Sequence, residues 1–506
     1  MRRLRRWFNL LSSENLDYFD ACQLMNKSSP DGTPNKIPLD QKLDLKTKLA
    51  YGAGDLGPAI TAGIAVFFLL VFFTNVAGIP PGLAGSILMI GKIWDAINDP
   101  IVGVLTDKTK SRRWGRRLPW LLYGAIPFGI FFFLQWLVPR FSAEPTAQMW
   151  GLFWYYVGIG VISQVFFTVV NLPYTAMTPE LTQDYDERTT LNSFRFSFSL
   201  GGSILSLILA QVIFSQITDR QQQYVVLAAI CGAIAVLSLF WCVWGTRDRV
   251  MAFEAKRETV ESPPSIPIGE QLKVIFSNKP FLYVIGIYLF SWLAVQVTAS
   301  VIPYFVVNWM RLKESEVPTV ILGFQGTALL VLFLWSALSK RLGKKVVYFM
   351  GMSLWIIAEI GVFFLQPGQT ILMYALAVLA GFGISTAYLI PWSMMPDVIE
   401  LDELNTGQRR EGIFYGFMVL LQKFGLAFGL FLVGNALQAS GFKAAAAGQD
   451  ALPIQPDSAL LAIRFTTSIL PAFFLICGLV LAYFYPLTRE VHAEILLKLK
   501  ERQNRE

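Results

Sequence analysis

Histidine is almost missing from this chain of 506 residues: His492 is the only one, and it sits in a polar C-terminal tail. Histidine-based metal sites and triads that need an imidazole base are therefore excluded. Cysteine is scarce too. Cys22, Cys231, Cys242 and Cys477 are scattered with no C-x-x-C pair, and three of them lie in apolar runs, so neither a disulfide framework nor a thiolate metal site is signalled. Charge is thin, at 15% Asp, Glu, Lys and Arg, against about 25% in ordinary soluble domains.

What fills the space is apolar. Hydrophobic residues make up 54% of the chain and aromatics 14%, forty of them Phe, and the mean hydropathy is +0.50. A water-soluble globule of this length cannot hide so much apolar surface, so the composition points to a multi-pass membrane protein. The net charge of +7 is concentrated in short loops between apolar runs, which topology explains better than a nucleic-acid partner does.

A helix crossing the bilayer needs about 20 apolar residues. Twelve such stretches are expected, beginning near Lys46, Gly82, Leu118, Trp150, Thr189, Tyr224, Phe281, Pro318, Lys345, Thr370, Gly412 and Ala459. The expected organisation is an N-terminal segment at 1–44, a six-helix bundle at 45–245, a polar central loop at 246–279 containing Ser262-Pro263-Pro264, a second six-helix bundle at 280–485, and a tail at 486–506. The fold class is all-α, with two pseudo-symmetric bundles.

Residues 107–117 (DKTKSRRWGRR) carry six basic residues, residues 340–345 (KRLGKK) four, and residues 2–6 (RRLRR) four. The alternate loops near Asn75, Glu144, Asp219, Gln366 and Ala445 are poor in Lys and Arg. The positive-inside rule places both termini and the central loop in the cytoplasm. The two strongly basic loops each follow the second helix of a half, the weak internal repeat expected of a transporter built from related halves.

The N-terminus lacks an apolar signal-peptide core, and Glu14, Asp17 and Asp20 argue against a transit peptide. Trp7, Phe8, Leu10 and Leu11 suggest an interfacial anchor. Residues 490–506 read as a solvated or interfacial helix. The cell membrane, inner in a bacterium, is the expected location.

Ionisable residues inside spans are costly and default to function. In KIWDAINDP, Asp95 and Asp99 are four residues apart and share one helix face, with Asn98 beside them. Two close carboxylates repel unless one is protonated or a cation lies between them, and hard cations favour oxygen ligands. The plainer alternative is a packing ion pair with Lys92 or another base. Lys423 is read as a counter-ion to the Asp pair when the cation leaves, as a holder of a substrate's anionic group, or as a permanent structural counter-ion. Arg195 is read as a clamp for an anionic group or as a partner of Asp184 or Glu187. Asp55, Glu359 and Arg464 are further intramembrane charges. Phe166, Phe167, Thr168, Asn171, Tyr174 and Thr175 on one helix, and Tyr388, Trp392 and Ser393 on another, each stand beside a helix-breaking proline, Pro173 and Pro391.

The runs KIWDAINDPIVG, DKTKSRRWGRRLPW, NLPYTAMTPELTQDYDERT and REGIFYGFMVLLQKFG, in that order, resemble the glycoside–pentoside–hexuronide:cation symporters of the major facilitator superfamily, from about Lys46 to about Pro486. The resemblance implies a monomeric cation-coupled symporter, not an enzyme, working with Na⁺ or H⁺ and no further cofactor. It implies a small organic substrate and two bundles rocking around a central site. In the melibiose-carrier branch the cation positions match Asp95, Asn98, Asp99 and Thr168, with Na⁺ at Asp95 and Asp99 and Lys423 as the coupling residue. The sugar positions do not match: carboxylates are replaced by Ala59 and Asn171, a stacking tryptophan by Thr175 and another by Tyr388, while Arg195 and Lys423 remain. LIPWSMMPDVIELDEL, LPYTAMT, GRRLPWLLYGAIPF and QKFGLAFGL are similar to the animal sodium-dependent lysophosphatidylcholine symporters. That branch carries a glutamate where Thr298 stands here, and a loop disulfide that this chain cannot form. The expected substrate is a lysophospholipid-like amphiphile, bound among Ala59, Asn171, Thr175, Arg195, Thr298, Tyr388 and Trp392. A glycoside remains the first alternative and an uncoupled lipid facilitator or scramblase the second.

Overall fold

A computed structural model describes residues 43–109, 111–182, 185–256, 274–407, 410–445 and 453–503. The anchor expected at Trp7 to Leu11, Asp184 and the Ser262-Pro263-Pro264 turn lie outside the described residues.

The first bundle comprises α1 (Leu45–Asn75), α2 (Pro81–Lys108), α3 (Leu118–Leu134), α4 (Pro145–Thr175), the short α5 (Thr178–Leu181), α6 (Tyr185–Gln216) and α7 (Arg220–Lys256). The second comprises α8 (Lys279–Tyr304), α9 (Glu316–Leu342), α10 (Lys344–Phe364), α11 (Thr370–Thr406), α12 (Glu411–Ala439), α13 (Asp457–Arg464) and α14 (Leu470–Phe484), followed by α15 (Arg489–Gln503). Among the described residues, ten helices are long and apolar enough to cross a membrane. The two remaining stretches expected to span are α3, which is 17 residues long, and α2, whose apolar run is interrupted by Lys92, Asp95 and Asp99.

Local chemistry sets the helix ends. Asp44 caps α1 by accepting from the Thr47 amide at 3.2 Å, which satisfies one of the donors a helix start leaves free. Gly343 (φ 87°) makes the tight turn between α9 and α10, and Gly407 (φ 72°) closes α11 in the left-handed region that L side chains avoid. The kinks expected at Pro173 and Pro391 take different forms. α4 ends two residues after Pro173, whereas α11 runs unbroken through Pro391 and Pro396. Wider π-type turns occur instead at Phe305–Trp309 and Phe465–Ile469. The second ends two residues before Pro471, which has no N–H to donate to the helix ladder.

An apolar core runs continuously through both bundles, from Phe68, Phe72 and Trp136 to Tyr304, Trp355 and Met394. The outward faces are apolar as well: Trp154 is 65% exposed, Leu237 66%, Leu330 76% and Phe333 72%. Such side chains on the perimeter suit lipid and would be a liability in water. Between the bundles, α1 packs on α8, α6 on α9, and α2 on α12. The α2–α12 crossing is close because it is built from glycines. A Cβ at Gly434 would stand 2.5 Å from the Pro81 carbonyl oxygen and 3.0 Å from the Gly85 Cα.

The polar links between the bundles gather toward the end opposite the basic loops. Thr74 and Tyr304 hydroxyls share a 2.7 Å hydrogen bond, and the Ala445 amide donates to the Thr74 carbonyl. Arg220 and Glu314 form an ion pair at 2.8 Å. Thr319 donates to Gln211, Gln325 to Ser203, and the Gly82 amide to Gln438, each at 2.7 Å.

Candidate cation and substrate site

The centre of the molecule is organised by one buried charge cluster. Asp95 and Asp99 occupy successive turns of α2, and Thr168 lies opposite them on α4 of the same bundle. The Thr168 hydroxyl lies 3.2 Å from Asp95 Oδ1 and 3.0 Å from Asp99 Oδ1, so it donates to one carboxylate at a time. From α12 of the other bundle Lys423 reaches both: its Nζ is 3.1 Å from Asp95 Oδ2 and 2.5 Å from Asp99 Oδ2. Asp95 and Thr168 are buried, while Asp99 keeps a side-chain exposure of 29%. The arrangement places one monovalent positive charge between two carboxylates and a hydroxyl.

Asn98, on the same turn, is buried with its amide nitrogen unpartnered. Lys92 is close enough for its charge to interact with Asp95, Asp99 and Lys423, but the direct ion pair to the carboxylates comes from Lys423. The base in contact is thus the one from the opposite bundle.

Arg195 meets an acid other than Glu187. It lies 3.6 Å from Asp55 of α1 and stacks over Phe196, whereas Glu187 is taken by Lys48 at 3.1 Å. The reason is geometric: Glu187 sits two turns away on α6 and faces the start of α1, while Asp55 faces Arg195 across the α1–α6 contact. Ala59 is one turn beyond Asp55, near Gly202 of α6. A carboxylate is thus present on the first helix, one turn from the position occupied by Ala59.

Asn171 is half-buried, and the Thr175 hydroxyl donates to Leu172 of its own helix. Tyr388 meets the Trp292 ring at 5.8 Å, and Trp392 meets Tyr288 and stacks on Tyr415 at 5.9 Å. Trp392 is 39% exposed, giving the second bundle a half-open aromatic wall. Thr298 is buried and donates to Glu359 at 3.4 Å, which also accepts from Trp355 at 2.7 Å. That pair lies inside the second bundle, where α8 meets α10, apart from the Asp95–Asp99–Lys423 centre. Arg464 donates to the Phe363 carbonyl and stacks over Trp309 at 4.4 Å.

Sequence reasoning missed two clusters at the end carrying the basic loops. Arg116 reaches Glu180 at 2.7 Å and Glu254 at 3.4 Å, with Arg117 on Glu180 at 3.2 Å. In the second bundle Lys344, Asp397, Glu400 and His492 converge. The basic runs gave a signal for both, but the acids that Arg116 and Lys344 bind most closely, Glu180 and Asp397, lie 64 and 53 residues away.

The match to a family model, described as MFS/sugar transport protein, covers residues 50–489. The chain belongs to that family. It is 52% identical over 534 residues to an uncharacterized symporter of Synechocystis sp., covering 92% of this chain and 98% of that one. It is 26% identical to the sodium-dependent lysophosphatidylcholine symporter 1 of Xenopus tropicalis, covering 92% of each. Among solved structures it superposes on a bacterial homologue of the iron transporter ferroportin in its inward-facing state, with a TM-score of 0.61 at 17% identity, over 87% of this chain and 100% of that one. The protein is a multi-pass integral membrane protein of a transporter fold, and its relatives are symporters. The resemblance read from the four sequence runs is borne out.

Proposed function

We propose that this family member is a cation-coupled symporter in which Na⁺ and the Lys423 ammonium compete for Asp95 and Asp99. The observation that carries the reading is the Lys423 bridge, because its two ends belong to different bundles. Na⁺ held by Asp95, Asp99 and Thr168, with Asn98 alongside, would satisfy the carboxylates from within the first bundle. Lys423 would then be released and the α2–α12 contact loosened. Cation loading is in this way linked to the relative position of the bundles, and by reciprocity substrate and cation favour each other's binding.

The twelve expected spans, α2 and α3 included, form two six-helix bundles that rock about this centre. With basic loops and both termini in the cytoplasm, the interbundle links at Thr74–Tyr304 and Arg220–Glu314 close the outer side. On this reading the carrier is closed on its outer side and faces inward in a cell membrane.

For the substrate we infer a lysophospholipid-like amphiphile. Two acidic acceptors of sugar hydroxyls are absent at Ala59 and Asn171, Asp55 is engaged by Arg195, and the Trp392–Tyr388 wall is apolar and half open. The test is uptake into proteoliposomes with and without an inward Na⁺ gradient, using labelled lysophosphatidylcholine and a labelled α-galactoside, with Asp95→Ala as the blank. Na⁺-driven lipid entry lost in the variant is the expected result. Na⁺-driven entry of the galactoside alone overturns the substrate, and lipid movement indifferent to Na⁺ and to Asp95→Ala overturns the coupling.

A further inference from the structure

Each bundle carries a charge clasp at the end where the basic loops lie, and the two clasps share one plan. In the first, Arg116 between the second and third helices binds Glu180 just past the fourth and Glu254 at the end of the bundle's last helix. In the second, Lys344 at the start of α10 binds Asp397 on α11 at 2.6 and 2.8 Å. It also donates to the Ser393 carbonyl. The third position, beyond the bundle's last span, is filled by His492 of α15. Its Nε2 lies 2.6 Å from Glu400 Oε2 and 3.4 Å from Asp397 Oδ1.

The difference between them is chemical. The first clasp joins guanidinium groups to carboxylates, side-chain types that ordinarily do not change charge near neutral pH. The second uses the single imidazole of the chain, the one side-chain type that ordinarily changes charge between pH 5 and 8. With a neutral ring, Lys344 alone faces Asp397 and Glu400, leaving one negative charge in excess. An imidazolium cancels it. The ring is a quarter exposed, so bulk protons reach it.

We propose that His492 makes α15 a pH-responsive latch on the end of α11. The charged and titratable groups around the ring are Asp397 and Glu400 from α11, Lys344 at the start of α10, and Tyr485 between α14 and α15, whose hydroxyl is buried without a partner near Asp397. Arg489, three residues before the ring, donates to the Arg341 carbonyl. On its own helix Glu494 is already paired with Lys498. Lys344 donates to both Asp397 oxygens. The sign follows from the contacts: docking α15 brings the ring against two carboxylates, so the imidazolium favours the docked state. The latch is closed at low pH and loosens as pH rises through the imidazole range. Because α11 also carries Tyr388 and Trp392 two to three turns away, the latch bears on the helix lining the aromatic wall.

The test is hydrogen–deuterium exchange across residues 489–503 of the full-length protein in nanodiscs, from pH 5.5 to 8, corrected for intrinsic exchange chemistry. Wild type is expected to lose protection about fivefold across that range, the scale of a partly exposed ion pair. His492→Gln should be weakly protected at every pH, and His492→Arg protected at every pH. Size-exclusion profiles establish that both variants fold. Protection independent of pH in wild type, or the wild-type pH dependence retained in His492→Gln, overturns the proposal. Neither result depends on which solute is carried.

Discussion

Replacing Lys423 by Gln removes the only base in direct ion-pair contact with both carboxylates among the described residues and leaves their spacing untouched. With Nζ at 3.1 Å from one carboxylate and 2.5 Å from the other, each attraction is about 5–7 kcal/mol at an effective dielectric of about 20. Desolvation of partly buried charges costs several kcal/mol per ion and offsets most of this, and the net hold of the ammonium is taken at the scale of a hydrogen bond to a charged group, about 1.5–3 kcal/mol. An ion competing for the same oxygens should gain that amount when the lysine is gone, about 10- to 100-fold in apparent Na⁺ affinity at 1.4 kcal/mol per decade. Isothermal titration of purified Lys423→Gln with Na⁺ measures it directly, and Lys423→Arg, which keeps the charge, should show no such gain. Transport should divide in a telling way. The carrier without a substitute cation cannot return empty, so net uptake falls while exchange of substrate across a preloaded vesicle persists. An unchanged or weakened Na⁺ affinity in Lys423→Gln would refute the competition and leave Lys423 a packing element.

Gly434→Val should prevent the α2–α12 approach, since even a Cβ there meets the Pro81 carbonyl oxygen at 2.5 Å. The variant is expected to expose Thr74→Cys to a membrane-impermeant thiol reagent, and labelling at the wild-type rate would count against the crossing as a closure point. Arg220→Ala breaks the 2.8 Å pair with Glu314 and should raise the same labelling severalfold. The carboxyl of Glu314 is held above the usual carboxylate range, chiefly by burial. A raised value means that the closed arrangement binds the proton more tightly. Acidification through the range between the ordinary and the raised value should therefore lower labelling, and labelling that rises with acid would contradict the burial. Asp44 is held below its ordinary range, first by the Thr47 hydrogen bond. Its cap contributes fully above about pH 4 and is lost as pH falls through the lowered value. Asp44→Ala, removing about 1 kcal/mol of capping, should speed amide exchange in the first turn of α1 and abolish that acid dependence.

The sequence by itself determined the solvent and the element type. Low charge, long apolar runs and basic loops dictate helices for lipid, because only internally satisfied backbone survives there. It also put Asp95 and Asp99 on one face, since four residues make about one helical turn. The partner of that pair was beyond its reach. Lys92 is three residues from Asp95 and Lys423 more than three hundred, yet the α2–α12 crossing, allowed by Gly85 and Gly434, brings the distant lysine into contact. Arg195 repeats the lesson. Sequence proximity offered Asp184 or Glu187 as one alternative, while the α1–α6 packing puts Asp55 3.6 Å from the side chain. The clasp around His492 shows it a third time, joining residues from α10, α11 and α15. Periodicity and composition act along the chain and were legible there. Which buried charge meets which is decided by helix crossings, and these depend on side-chain volumes on two helices at once, so only the tertiary structure holds them.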